Sequence, residues 1–350
     1  MLLYAIVPGF YAEAERAAHP GLRDRPVVVG GDPRKRGLVQ AATPDALAAG
    51  IVVGMPMIEA LSRCPQARAL RTHMREYREA SKRLQAVFRR ETERVEAAGL
   101  DAAFLDLGGL DEPVQQVAAR LQAEVARELR LPLRVGAAPI KFVARLASEE
   151  ADEEGFFWVR PEVLRSFLDA LNVTRLPGVG PRTAERMASR GVATVGQLRQ
   201  LSEEQVEASL GSHGLGILAF ALGRDASRLR AAPHPRSISQ EFTFETPERD
   251  RGALVERLAA LAADLERSLA LEHLAAKRVV LKLRYDDGEA TTRSRTDRRP
   301  LSSSAAISEL AAELLGRTES GRPVKRVGIA LSSIIRVRHD DRQLEMFPDE

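Results

Sequence analysis

A proline-bracketed break, Ala231-Ala232-Pro233-His234-Pro235, constrains this chain more than any other feature, because short proline-rich segments join domains and do not cross a core. At 350 residues the chain is also too long for one ordinary core, so about two to three domains are expected. After the break come a strand (residues 238–244), a helix (251–272), two strands separated by Asp286-Asp287-Gly288, a helix (302–315) and a last strand (324–331). That order, β-α-β-β-α-β, predicts four strands with two helices on one side, an α+β domain of split-βαβ type.

Before the break, the apolar run at residues 2–7, closed by Pro8-Gly9, and a second at 26–31 read as strands buried on both faces. Residues 11–18 have helical composition, and residues 44–63 alternate helix and turn around Gly50 and Gly54-Met55-Pro56. Residues 76–98 predict one long charged helix, with Tyr77, Leu84, Val87 and Phe88 near the helical period. A strand (104–107), a helix (112–129) and a strand (133–136) follow, so this half is α/β or α+β. Residues 164–229 change character into short helices joined by Gly178-Val179-Gly180, Gly191, Gly211 and Gly223, a small all-α unit.

Hydrophobic residues at 44% and charged residues at 29% exclude disordered and collagen-like architectures. A net charge of only +3 means that any contact with an anionic polymer must come from local basic patches. Cys64 is the single cysteine, which excludes an internal disulfide or a cysteine-clustered zinc site and fits a reducing cytosol. The histidines (His19, His73, His213, His234, His273, His339) show no pair at metal-ligand spacing, so no metal site is expected from them. The N-terminal run is too short for a signal-peptide core, and no apolar stretch approaches about 18 residues. A soluble, cytoplasmic protein with no membrane partner is expected.

Three motifs carry chemistry. Leu176-Pro177-Gly178-Val179-Gly180-Pro181-Arg182-Thr183-Ala184-Glu185-Arg186 has the form of a helix-hairpin-helix turn. Gly178 and Gly180 allow the tight turn, Pro181 starts the next helix, and Arg182 and Arg186 lie one turn apart, so free N–H groups and guanidinium groups can hold a DNA phosphate. An ordinary helix connection is the plainer alternative. Arg293 and Arg295 share a strand face by the period of two, and Arg322, Lys325, Arg326, Arg336 and Arg338 cluster around the last strand. Two basic strands of one sheet could track a DNA backbone, although on charge pattern alone a solvated face fits equally well. Gln343-Leu344-Glu345-Met346-Phe347, near the end of a charged tail, offers Leu344, Met346 and Phe347 to a partner's groove.

These pieces, in this order, resemble the Y-family translesion DNA polymerases of the bacterial polymerase IV and UmuC type over nearly the whole chain. Phe10-Tyr11-Ala12 looks like the aromatic pair after the first palm strand, Pro26-Val27-Val28-Val29-Gly30 like the first fingers strand, and residues 50–60 like the fingers' G-x-x-x-G-M-P turn. Arg236-Ser237-Ile238 looks like the entry to the little finger, and the terminal pentapeptide like the bacterial sliding-clamp-binding peptide. The resemblance implies a multidomain α+β right hand: palm at residues 1–9 and 74–164, fingers at 10–73, helix-hairpin-helix thumb at 165–230, linker at 231–237, little finger at 238–339, and a tail at 340–350 carrying the clamp peptide. It also implies DNA and the sliding clamp as partners, leaves room for another translesion polymerase beside them, and puts Tyr11 at the nucleotide sugar gate.

Such enzymes transfer a nucleotidyl group with two Mg²⁺ ions held by carboxylates. The resemblance sets the first acid position on Ile6, the second aspartate of that strand on Pro8, and the S-x-D-E motif on Gly99-Leu100-Asp101-Ala102. Asp101 is the sole remaining acid, and the positions of Ile6 and Ala102 are lost. The fingers' Tyr and Arg for the incoming triphosphate match Pro44 and Leu47, and the palm lysine matches Asp152. Glu13, Glu15 and Asp106 are acids nearby, none an obvious substitute. The expectation is a catalytically degenerate homologue, similar in that respect to ImuB-class accessory proteins, with no metal cofactor. The alternative is an active error-prone DNA-directed DNA polymerase using Mg²⁺.

Overall fold

The opening apolar run forms β1 (Leu2–Ile6), the middle strand of a five-stranded sheet. Gly9 ends it at φ 65°, and a Cβ there would lie 2.4 Å from the carbonyl oxygen of Ala42, so only glycine lets α1 (Phe10–Ala18) start against the neighbouring strand. In this computed structural model the described residues are 1–109, 112–151, 154–225, 227, 229, 237–319 and 321–337. They fall into two compact units, Met1–Ala232 and Pro233–Glu350, divided inside the proline-bracketed break.

In the first unit, β2 (Val27–Gly30), β3 (Val39–Ala42), α2 (Pro44–Ala48), α3 (Met57–Arg63) and β4 (Arg68–Arg71) build a small sheet of order β3-β2-β4. Val28, Val39, Ala46, Ile51 and Met57 form its core. The long helix α4 (Met74–Glu91) buries Tyr77, Leu84, Val87 and Phe88 as its periodicity predicts, but it stops seven residues short of the expected end at residue 98. Thr92 is extended, its hydroxyl donates to the carbonyl of Asp106, and the chain continues as β5 (Val95–Ala97). Pairing with β6 (Ala102–Asp106) overrides the helix-favouring composition of Glu93-Arg94 and Glu96-Ala97. Then come α5 (Val114–Leu129), β7 (Arg134–Ala138), α6 (Lys141–Glu149) and β8 (Phe156–Trp158), completing the sheet β5-β6-β1-β7-β8.

The period of two sorts this sheet. Leu3, Ala5, Val7, Ala103 and Leu105 enter the core with α4 and α5, while Tyr4, Ala102 and Phe104 face the opposite way into a core shared with α6 and the helices that follow. Those are α7 (Leu164–Ala170), α8 (Pro181–Ala188), α9 (Val195–Leu198), α10 (Glu203–Leu210) and α11 (Ser212–Ala221). Thr194 with Gln197, and Ser202 with Gln205, form reciprocal capping boxes that fix where α9 and α10 begin.

The second unit runs β9 (Ser237–Glu248), α12 (Arg251–Leu271), β10 (Leu274–Tyr285), β11 (Ala290–Leu301), α13 (Ser304–Gly316) and β12 (Val324–Arg336), the expected β-α-β-β-α-β order. The sheet order is β11-β10-β12-β9, so the basic strands β11 and β12 are not neighbours: β10 lies between them. Leu258, Leu265, Val279, Leu281, Ile307 and Ile329 are fully buried between the helices and one sheet face.

Candidate active site and nucleic-acid interface

The palm corner is built by the end of β1 and the start of β6. Ile6 is the cross-strand partner of Ala102, and the backbone N–H of Val7 donates to the carbonyl of Asp101 at 2.9 Å. The first acid position of the resemblance and the last residue of its acidic motif therefore meet as an aliphatic pair. Pro8, at the second aspartate position, lies just beyond the strand. Asp101 is half-buried, and desolvation pushes its carboxyl above the usual carboxylate range. Burial raises the Tyr4 phenol first, and the negative charge of Asp101 raises it further.

The neighbouring acids are engaged elsewhere. Asp106 sits at the far end of β6, opposite Leu2, where it accepts from the N–H of Gly108 at 2.8 Å and pairs with Arg94 at 3.3 Å. Buried Glu13 lies 3.6 Å from Arg16, and desolvation raises its carboxyl. Buried Glu15 accepts from the hydroxyl of Tyr77 at 2.8 Å. Tyr11, which the resemblance puts at the sugar gate, stacks on Tyr77 with ring centroids 4.6 Å apart and planes 11° apart. Of the positions that the resemblance sets for the triphosphate, Pro44 opens α2 and Leu47 is 40% exposed on it, while Arg16 is turned to Asp45 at 2.5 Å. Asp152 lies outside the described residues.

In the helical unit, Gly178 at φ 86° makes the turn and Gly180 caps α8, with Pro181 as its first residue. Arg182 and Arg186 are both exposed on α8. His213 Nε2 lies 3.2 Å from the carbonyl oxygen of Gly178, bracing the turn.

In the C-terminal unit, register decides which cations share a face. Arg295 is opposite buried Val279 and Arg293 opposite buried Leu281, so both lie on the helix-bearing side of the sheet, and Arg295 pairs with Glu313 of α13. The open face instead carries Arg278, Lys282 and Arg284 of β10, with Arg326 opposite Arg284 on β12. Glu241 accepts from Lys282 at 3.2 Å and lies 3.5 Å from Arg326. The residues of β10 were missed by charge clustering, yet the alternation Val279-Val280-Leu281-Lys282-Leu283-Arg284 holds the signal: cations interleaved with buried positions. Arg336 is exposed opposite Leu274 at the sheet's end. Gln343, Leu344, Met346 and Phe347 lie outside the described residues.

By architecture the chain is a polymerase hand: a palm sheet, a small β-sheet unit inserted after its first strand, a helical hairpin unit and a four-stranded C-terminal unit. Residues 7–149 match the impB/mucB/samB family, 174–225 the DNA polymerase-iota thumb domain, and 235–346 the impB/mucB/samB family C-terminal domain. A DNA polymerase IV of Alkalilimnicola ehrlichii is 35% identical, over 99% of both chains, and one of Methanoculleus marisnigri is 34% identical over 95% of this chain and 94% of that protein. Among solved structures, the Y-family DNA polymerase chimera Dbh-Dpo4(243-245)-Dbh superposes with a TM-score of 0.83 at 21% identity, covering 96% of this chain and 99% of that one. An insertion ternary complex of Dbh DNA polymerase gives 0.73 at 20% identity, over 96% of this chain and 99% of that one. The chain belongs to the Y family of DNA polymerases, in its DNA polymerase IV branch, a family of translesion synthesis and DNA repair. No helix among the described residues is long and apolar enough to cross a membrane.

Proposed function

We propose that this Y-family chain binds DNA and the sliding clamp as an accessory factor in translesion synthesis, without itself carrying out two-metal nucleotidyl transfer. The observation that carries this reading is the Ile6–Ala102 pairing beside a lone Asp101. Two Mg²⁺ ions need several hard oxygen ligands, and neither an isoleucine nor an alanine side chain supplies one. Pro44 and Leu47 also carry no charge to offset a triphosphate, so the electrostatic stabilisation of a transferred phosphoryl is weakened as well.

DNA contact would run through the α8 turn, with Gly178, Gly180, Arg182 and Arg186, and through the open face of the C-terminal sheet, with Arg278, Lys282 and Arg326. These are phosphate contacts, which position a duplex without reading its sequence. The pentapeptide at residues 343–347 would dock on the clamp, and deleting it should abolish clamp capture in a pull-down. Capture unchanged by the deletion would remove the tail from the account.

A second reading, an active error-prone DNA-directed DNA polymerase with Mg²⁺, is favoured by the end-to-end likeness to proteins named DNA polymerase IV, and the comparisons on their own weigh towards it. Mn²⁺ titration on a primer-template with an incoming nucleotide, followed by electron paramagnetic resonance, separates the two. The accessory reading expects no pair of bound ions that depends on Asp101. Saturable binding of two Mn²⁺ ions, lost in Asp101→Ala, would favour the active enzyme.

A further inference from the structure

Away from the palm corner, the end of α1 and the start of α4 bring His19, His73 and Glu76 to one buried carboxylate, that of Glu15. Glu15 is 2% exposed; its Oε1 lies 2.7 Å from Nδ1 of His73, and its Oε2 lies 3.4 Å from Nδ1 of His19. Glu76 joins them, and one ligand atom each from Glu15, His73 and Glu76 lies within 4.8 Å of the others. His19 is the extended residue that ends α1 and His73 the residue that precedes α4, so the cluster gathers where the two helix ends meet.

The electrostatics ask for a cation. Two carboxylates converge here, one of them buried, and among the described residues no lysine or arginine is paired with either. The groups paired with Glu15 are imidazoles, which carry charge only when protonated, and Arg83 lines the adjoining cavity together with a further acid, Glu79. Tyr77 already donates its hydroxyl to Glu15 Oε1, fixing that carboxylate, and burial together with this bond pushes the phenol far above its usual range. Glu15 and Glu76 also line a cavity of about 370 Å³ whose other walls include Ala14, Ala18 and Leu129. The side chains of His73 and His19 are 48% and 57% exposed, so an ion has a path from solvent.

We propose that Glu15, His73 and Glu76 form a binding site for a divalent transition-metal ion of the Zn²⁺ class that clips the end of α1 to the start of α4. Mixed imidazole and carboxylate donors suit Zn²⁺ and disfavour Mg²⁺, which takes oxygen ligands and keeps its waters. Tetrahedral Zn²⁺ sets its donors roughly 3.3 Å apart, and the donor atoms of Glu15, His73 and Glu76 already lie within 4.8 Å of one another. The inference is independent of whether the palm is active.

The test uses the full chain, stripped with chelator, and Zn²⁺ alone in competition with a chromophoric chelator, with Co²⁺ absorption as a second readout. One ion per chain is expected, with a rise in Tm on binding and a Kd weakened at least about tenfold in both His73→Ala and Glu76→Gln. Glu76 is exposed, so Glu76→Gln reports on the site without a core change, and His213→Ala controls for adventitious imidazole binding. No stoichiometric uptake, or uptake that both variants retain, would overturn the proposal and leave the cluster a hydrogen-bond network.

Discussion

Asp101 keeps a carboxyl at a corner where, among the described residues, no cation is paired with it. Burial raises its pKa above the ordinary 3.8, so between 3.8 and the raised value the folded chain holds a proton that the unfolded chain has released. The group's contribution to stability is therefore full below 3.8 and falls as the pH rises through that window and the half-buried carboxyl gives up its proton to carry a charge. Asp101→Asn removes that charge, and thermal scans should show a higher Tm than the parent at pH 7, with the gap closing as the pH falls towards 3.8. A lower Tm at pH 7 would mean that the charged form is stabilised by something other than what desolvation allows. Residue identity made this corner readable from sequence, because a strand fixes which positions meet, and Ile6 and Ala102 meet. The cluster around Glu15 was not readable, because His19 and His73 are far apart in the chain and only the packing of α1 on α4 brings both to one carboxylate.

At the scale of elements, the strand-helix order of the C-terminal unit was legible because each strand carries its own alternation and each helix its own period, whereas face and neighbour were not. Arg293 and Arg295 do share a face, but which face depends on their pairing with Leu281 and Val279 of β10, a fact of register that charge spacing does not contain. The two faces make a contrast for DNA binding. Replacing Lys282 or Arg278 by alanine should weaken duplex binding on all sequences and reduce the slope of log affinity against log salt by about 1 each. Arg295→Ala, on the helix-bearing face opposite buried Val279, should leave that slope nearly unchanged. Fluorescence anisotropy across a salt series checks both, and a larger loss at Arg295 than at Lys282 would reverse the assignment of the DNA-facing side. The end of α4 at Glu91 also rests on pairing: β5 exists because β6 offers an edge, and Val95 pairs with Leu105 where composition alone favours helix.

The whole molecule divides where the prolines fall, and the unit after Ala232 holds its own core of buried Leu, Ile and Val residues on four strands and two helices. A chain of residues 233–350 should therefore fold alone and melt in one cooperative transition by calorimetry, whereas a broad, non-cooperative melt would show that its core is incomplete. The order of parts was legible across the full length because separated motifs had to agree, and the comparisons place the chain in the Y family end to end. Activity is less legible than family, since it depends on a few side chains at one corner and not on the hundreds that set the fold. Primer extension on an undamaged and a lesion-bearing template, with Mg²⁺ or Mn²⁺ and with the sliding clamp present, tests that point most directly. The account predicts no template-dependent incorporation above the level of Asp101→Ala; incorporation that Asp101→Ala abolishes would contradict it.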